Sequence, residues 1–146
     1  MGPHFAQRSA STVVAELGIV ALGGALGTAA RLALSVLLPD DNGITIGVLL
    51  ANIVGSFALG WLVTRFTARP LPAPKQRRRH LFAAVGVLGS FTTYSAVALE
   101  ASRLSSEATT VALAYAFGSV ALGVAAAWLG IRLAGLRSLG SKVDRA

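Results

Sequence analysis

The chain contains no cysteine, which excludes disulfides and thiolate-bound metals. Charge is scarce too. Charged residues make up 13% of the 146 positions, where a soluble domain carries about a quarter. Only six side chains are acidic. No nucleophile–base pair, paired carboxylate or metal-ligand cluster stands out, so an enzyme is not expected. No self-similarity at periods of about 20–50 residues is visible, and inverted internal repeats are not supported.

What is abundant is apolar: 54% of the residues are hydrophobic, and the mean hydropathy is +0.68. A membrane span needs roughly 20 apolar residues at about 1.5 Å each. Four segments qualify, at about 13–38, 44–66, 80–99 and 109–133. Little remains outside them, so a single four-span membrane domain over 1–146, all-α, is expected. The first apolar run is too long for a cleavable leader and reads as the first span.

The net charge of +7 is carried by connectors. Arg65, Arg69, Lys75, Arg77, Arg78 and Arg79 fall between the second and third spans, Arg8 precedes the first, and Arg132, Arg137, Lys142 and Arg145 follow the fourth. The other two connectors hold Asp40 and Asp41, then Glu100, Arg103 and Glu107. With four spans, the basic segments share one side, which the positive-inside rule makes cytoplasmic, with both termini there. This distribution sets topology and does not indicate nucleic acid. The Arg77–Arg79 cluster can also touch anionic lipid headgroups. Glu16, His4 and His80 sit at membrane edges, where solvation is the expected state.

Several polar residues lie at membrane depth. The stretch GVLGSFTTYS (86–95) interrupts the third apolar run with glycines and hydroxyls. Gly86, Gly89, Ser90, Thr92 and Thr93 together have poor helix propensity. Irregular backbone at that depth survives only inside protein or along a cavity. A break near Gly89–Thr92 would free carbonyls for a hard cation and amides for an anion. A β-carbon at Gly89 is expected to crowd that break. Arg31 lies in the first span, at a depth open to either snorkelling or function. Asn52 offers amide donors and an acceptor halfway along the second, for an interhelical bond or for an anion. Tyr115, Ser119 and Gly123 recur at i, i+4, i+8 on one stripe of the fourth.

Three motifs, in order, resemble those of the Fluc (CrcB) family of fluoride channels. GGALGTAAR (23–31) is similar to the family's GGxxGxxxR, GVLLANIVGSFALG (47–60) to GTLxxNxxGSFxxG, and GSFTTYS (89–95) to the start of GxxTTFSTF. The resemblance covers all four spans. It implies antiparallel, dual-topology dimers with two narrow pores at the subunit interface, passing fluoride passively out of the cytoplasm across the inner (plasma) membrane. It also implies a structural sodium ion at the dimer centre, on backbone carbonyls matching Gly89 and Thr92. Asn52 matches the pore asparagine and Arg31 the vestibule arginine, and Tyr115 and Ser119 match a polar track. With these, Tyr94 and Ser95 complete the expected anion-contact set.

The departures are specific. Tyr94 and Val97 stand at the two pore phenylalanines, Ala96 at the second threonine, Val48 at the threonine of GTL, and Gly123 where some members have serine. Partners are therefore fluoride, the bilayer, and a second subunit, either a copy of the chain or an oppositely oriented paralogue. The uneven placement of bases favours the paralogue. A non-conducting or partly conducting partner subunit is one alternative reading, and a small multidrug exporter using Glu16 is a remote one.

Overall fold

A computed structural model describes residues 9–38, 46–67, 74–105 and 109–143, the last without side-chain detail beyond residue 135. His4, Arg8, Arg69, Asp40, Asp41, Glu107 and Arg145 lie outside the described residues.

Apolar side chains run almost uninterrupted around each long segment, and with few polar competitors the backbone bonds within itself as helix. The helices are α1 (Ala10–Leu37), α2 (Ile46–Thr67), α3 (Pro74–His80), α4 (Gly89–Phe91), α5 (Ser95–Ser105) and α6 (Thr109–Val143), with π-helical turns over Leu81–Leu88 joining α3 to α4. Four helical segments are long and apolar enough to cross a membrane: Ala10–Leu37, Ile46–Thr67, Pro74–Arg103 and Thr109–Gly135. Among the described residues there is no β-strand.

The third segment differs from its expected bounds. Pro74 starts it, at a helix position where a missing N–H is harmless. Lys75 and Arg77–Arg79 are thus helical rather than part of a loose connector. At the far end, α5 continues to Ser105. Glu100, expected in a connector, instead lies within α5 at 5% exposure. It follows Val97 by one turn on the same helix face, and Arg103 Nη1 stands 3.7 Å from its Oε2.

Small residues set the helix spacing. A β-carbon at Gly27 would overlap the Val87 carbonyl, and one at Gly23 would lie 3.0 Å from the Gly86 Cα. The same close approach joins α2 to α6, where Gly60 meets Ala127 and Gly130 meets Phe57 and the Trp61 backbone. Lipid supplies no hydrophobic drive between helices, so such backbone-close contact is how apolar segments associate.

Glu16 is not the solvated acid expected. Both its carboxylate oxygens accept from Arg77, which joins α1 to α3; the Nη2–Oε2 bond is 2.8 Å. The Glu16 side chain is 15% exposed. A bidentate pair satisfies a carboxylate that would otherwise be poorly hydrated there. Replacing Arg77 by Gln should lower stability by about 1–3 kcal/mol, since it removes the bidentate donor that both carboxylate oxygens share. Thermal unfolding in detergent would measure this, and an unchanged midpoint would show the pair to be energetically idle.

Candidate functional site

The third segment opens where its polar stretch meets α2. Thr92 turns to φ −81°, ψ 148°, and helix resumes at Ser95. The break therefore spans residues 92–94, slightly later than the Gly89–Thr92 expected, and Gly89 itself is still helical. Its N–H donates back to the carbonyls of Ala84 and Gly86, across the wide turns that precede it.

Asn52 holds the break open. Its Oδ1 accepts from the Thr93 N–H at 2.7 Å, and its Nδ2 donates to the Thr93 carbonyl at 2.9 Å. In a continuous α-helix the Thr93 N–H would serve the Gly89 carbonyl four residues back. Diverting it to α2 leaves that carbonyl without its helical donor. The amide's second N–H has no partner among the described residues. Thr93 also closes the start of α5: its Oγ1 accepts from the Ala96 N–H at 3.3 Å and pairs with Ser95 Oγ at 3.0 Å.

Around this break lies an open groove of about 480 Å³. Asn52 and Ser56 of α2, Gly89, Thr92, Thr93, Tyr94 and Val97 of the third segment, and Ser119, Gly123 and neighbouring apolar residues of α6 form its wall. Of the residues singled out by sequence, Asn52, Gly89, Thr92, Tyr94 and Ser119 come together here. Ser95, Arg31 and Tyr115 lie outside the wall. Arg31 remains on α1, where Ser35 Oγ donates to its carbonyl at 3.1 Å and its Nε is buried without a hydrogen-bond partner among the described residues. Tyr115 packs in an apolar cluster with Val48, Val97 and Ala112.

Gly89 departs from expectation. A β-carbon there would meet only the Ala84 carbonyl, at an ordinary 3.7 Å. Among the described residues of the chain, nothing crowds the break at Gly89. Tyr94, at 74% exposure, projects away from the chain, whereas Val97 is 2% exposed. The two departures Val48 and Val97 fall in the same cluster, so a missing hydroxyl and a missing ring edge coincide. Ser56, which faces Gly123 across the α2–α6 seam, was not among the site residues expected from sequence, and the burial of Glu100 was not expected. Ser56 lies four residues beyond Asn52 on the same face, a spacing that would have found it.

Fold and groove together define a class: a membrane protein of four spanning helices, all-helical among the described residues, with a groove at a break in the third span. Residues 18–131 match the family model described as "CrcB-like protein, Camphor Resistance (CrcB)", and the chain belongs to that family. It is 40% identical over 116 residues, 79% of its own length and 80% of the relative's, to "Fluoride-specific ion channel FluC 2" of Leifsonia xyli. It is 42% identical over 120 residues, 80% of its length and 93% of the relative's, to "Fluoride-specific ion channel FluC" of Thermus thermophilus. A similar protein of Oceanobacillus iheyensis, also named a fluoride-specific ion channel, is 37% identical over 117 residues.

Proposed function

We propose that this chain is a subunit of a fluoride-selective channel that lets fluoride leave the cytoplasm passively across the plasma membrane. The observation that carries the reading is the Asn52–Thr93 pairing, an amide with a spare N–H in the wall of the groove at the break of the third span. Ser119, at 4% exposure, adds a hydroxyl on the α6 side. The start of α5 contributes the positive end of a helix dipole. Such donors substitute for the hydration of a small anion, and a groove narrowed by a second subunit would disfavour a larger one.

The residues also suit a structural sodium ion. The Gly89 carbonyl lacks its helical donor, and the space beside Gly89 is open. Gly89 and Thr92 would hold the ion through backbone oxygens, the ligands a hard cation takes. When bound, the ion would supply positive charge beside the groove.

The groove is a half-site. Tyr94, at 74% exposure, faces outward from the groove wall, so a second subunit completes it. Two observations favour an oppositely oriented paralogue as that subunit. The bases from Arg65 to Arg79 bias insertion toward one orientation, with both termini inside. Val48 and Val97, which share one apolar cluster, present carbon where the motifs this sequence resembles have a hydroxyl and a ring. Tyr94's pore would then conduct better than Val97's.

Purified protein in liposomes tests both readings. Fluoride efflux should exceed chloride efflux by at least about a hundredfold, the contrast expected when donors match one ion's size. Equal rates would sink the fluoride reading. Flux should be weak from this chain alone and strong after co-purification with a paralogue of opposite charge bias. Robust flux from the chain alone would remove the paralogue.

A further inference from the structure

One end of the molecule carries cations that the channel reading leaves unused. Trp61 and Arg65 on α2 are four residues apart, and the guanidinium lies over the indole at 5.3 Å. Trp128 and Arg132 on α6 repeat this at 4.9 Å. The two pairs stand at the same height. Ser56 faces Gly123 and Gly60 faces Ala127, so α2 and α6 run side by side with a constant offset that also sets Trp61 beside Trp128 and Arg65 beside Arg132. The Phe66 and His80 rings meet edge to face at 5.0 Å, which brings the start of the third segment to the same level. There Lys75, Arg78 and Arg79 are exposed. The one acid described at this end, Glu16, is taken by Arg77. Among the described residues, Arg65, Lys75, Arg78, Arg79 and Arg132 have no acidic partner.

We propose that this end docks anionic phospholipid headgroups, with Arg65 and Arg132 as its phosphate-binding anchors. Indoles settle where hydrocarbon gives way to headgroups. Trp128 is 57% exposed, and Ile131 and Leu133 beside Arg132 are 48% and 41% exposed, an apolar surface that meets acyl chains. Each arginine therefore emerges at headgroup depth. Stacking on the indole steadies the guanidinium while leaving its N–H fork free to grip a phosphodiester. The exposed cations of α3 surround the anchors with further positive charge. Because this end meets a headgroup layer in either orientation, the proposal stands apart from the fluoride reading.

Native mass spectrometry of the full chain in non-ionic detergent, with equal phosphatidylglycerol and phosphatidylcholine, tests it. Phosphatidylglycerol should bind at least about tenfold more tightly, and R65Q/R132Q should weaken it by about fivefold per arginine removed while sparing phosphatidylcholine. Millimolar inorganic phosphate should not displace the lipid. Gel-filtration behaviour and the thermal unfolding midpoint report whether the variant folds; should it not, K75Q/R78Q/R79Q, whose side chains are exposed, must show the same selective loss. Equal binding of the two lipids, unchanged phosphatidylglycerol binding in the variants, displacement by phosphate, or tighter binding of a single-stranded oligonucleotide would each overturn the proposal.

Discussion

Fluoride flux should fall by at least about a hundredfold when Asn52 is replaced by aspartate, a loss that corresponds to about 3 kcal/mol. The carboxylate still accepts from the Thr93 N–H. Its second oxygen, however, faces the Thr93 carbonyl, where Nδ2 now donates at 2.9 Å. One bond becomes a repulsion between two acceptors, and the Thr93 carbonyl loses its partner, a penalty of about 1–3 kcal/mol when buried. The groove also loses its amide donor and gains negative charge against the incoming anion. Liposome efflux measures the flux, and hydrogen exchange at the Thr93 amide separates the two effects. Flux at the wild-type rate would reduce Asn52 to a packing residue. Flux lost with the amide still protected would place the damage in the groove rather than in the break.

The largest effect on folding should come from Gly27→Ala. Its new methyl would run into the Val87 carbonyl and lie 2.9 Å from the Val87 carbonyl carbon and 3.1 Å from the Phe91 nitrogen, all of them backbone. No side chain can rotate away, so α1 must separate from the third segment. The expected destabilisation is about 3 kcal/mol or more, at the upper end for overpacking. Gly89→Ala makes the opposite case, because the chain leaves room for its methyl. That variant should keep the wild-type unfolding midpoint and still lose its dimer, if the space beside Gly89 belongs to the second subunit. Thermal unfolding and subunit cross-linking in detergent read the two variants separately. A Gly27→Ala protein as stable as wild type would show that the α1 contact is loose.

Much of this was legible in sequence because hydropathy acts locally. Four apolar runs give four helices, and a cluster of Gly, Ser and Thr at mid-depth gives the break. The same local logic located Asn52. It could not locate Asn52's partner, which is backbone 41 residues away. Nor could it pair Glu16 with Arg77, 61 residues apart, because an acid near a span end is solvated unless another helix brings it a cation. Glu100 shows the limit most clearly. A charge after an apolar run marks the end of a span, yet α5 runs on and turns that carboxylate toward the inside of the bundle. Gly89 shows the converse limit. Glycine suggests a close neighbour, yet within the chain a β-carbon there would meet only the Ala84 carbonyl at 3.7 Å among the described residues.

The Asn52–Thr93 pairing also orders events during biogenesis. Open backbone is not tolerated facing lipid. A third segment that entered the bilayer before meeting α2 would have to return its Thr93 N–H to Gly89, and could part only once α2 offered its amide in exchange. On that order the fracture would be acquired late. A chain stalled before these two helices meet would be fully inserted and yet have no opening.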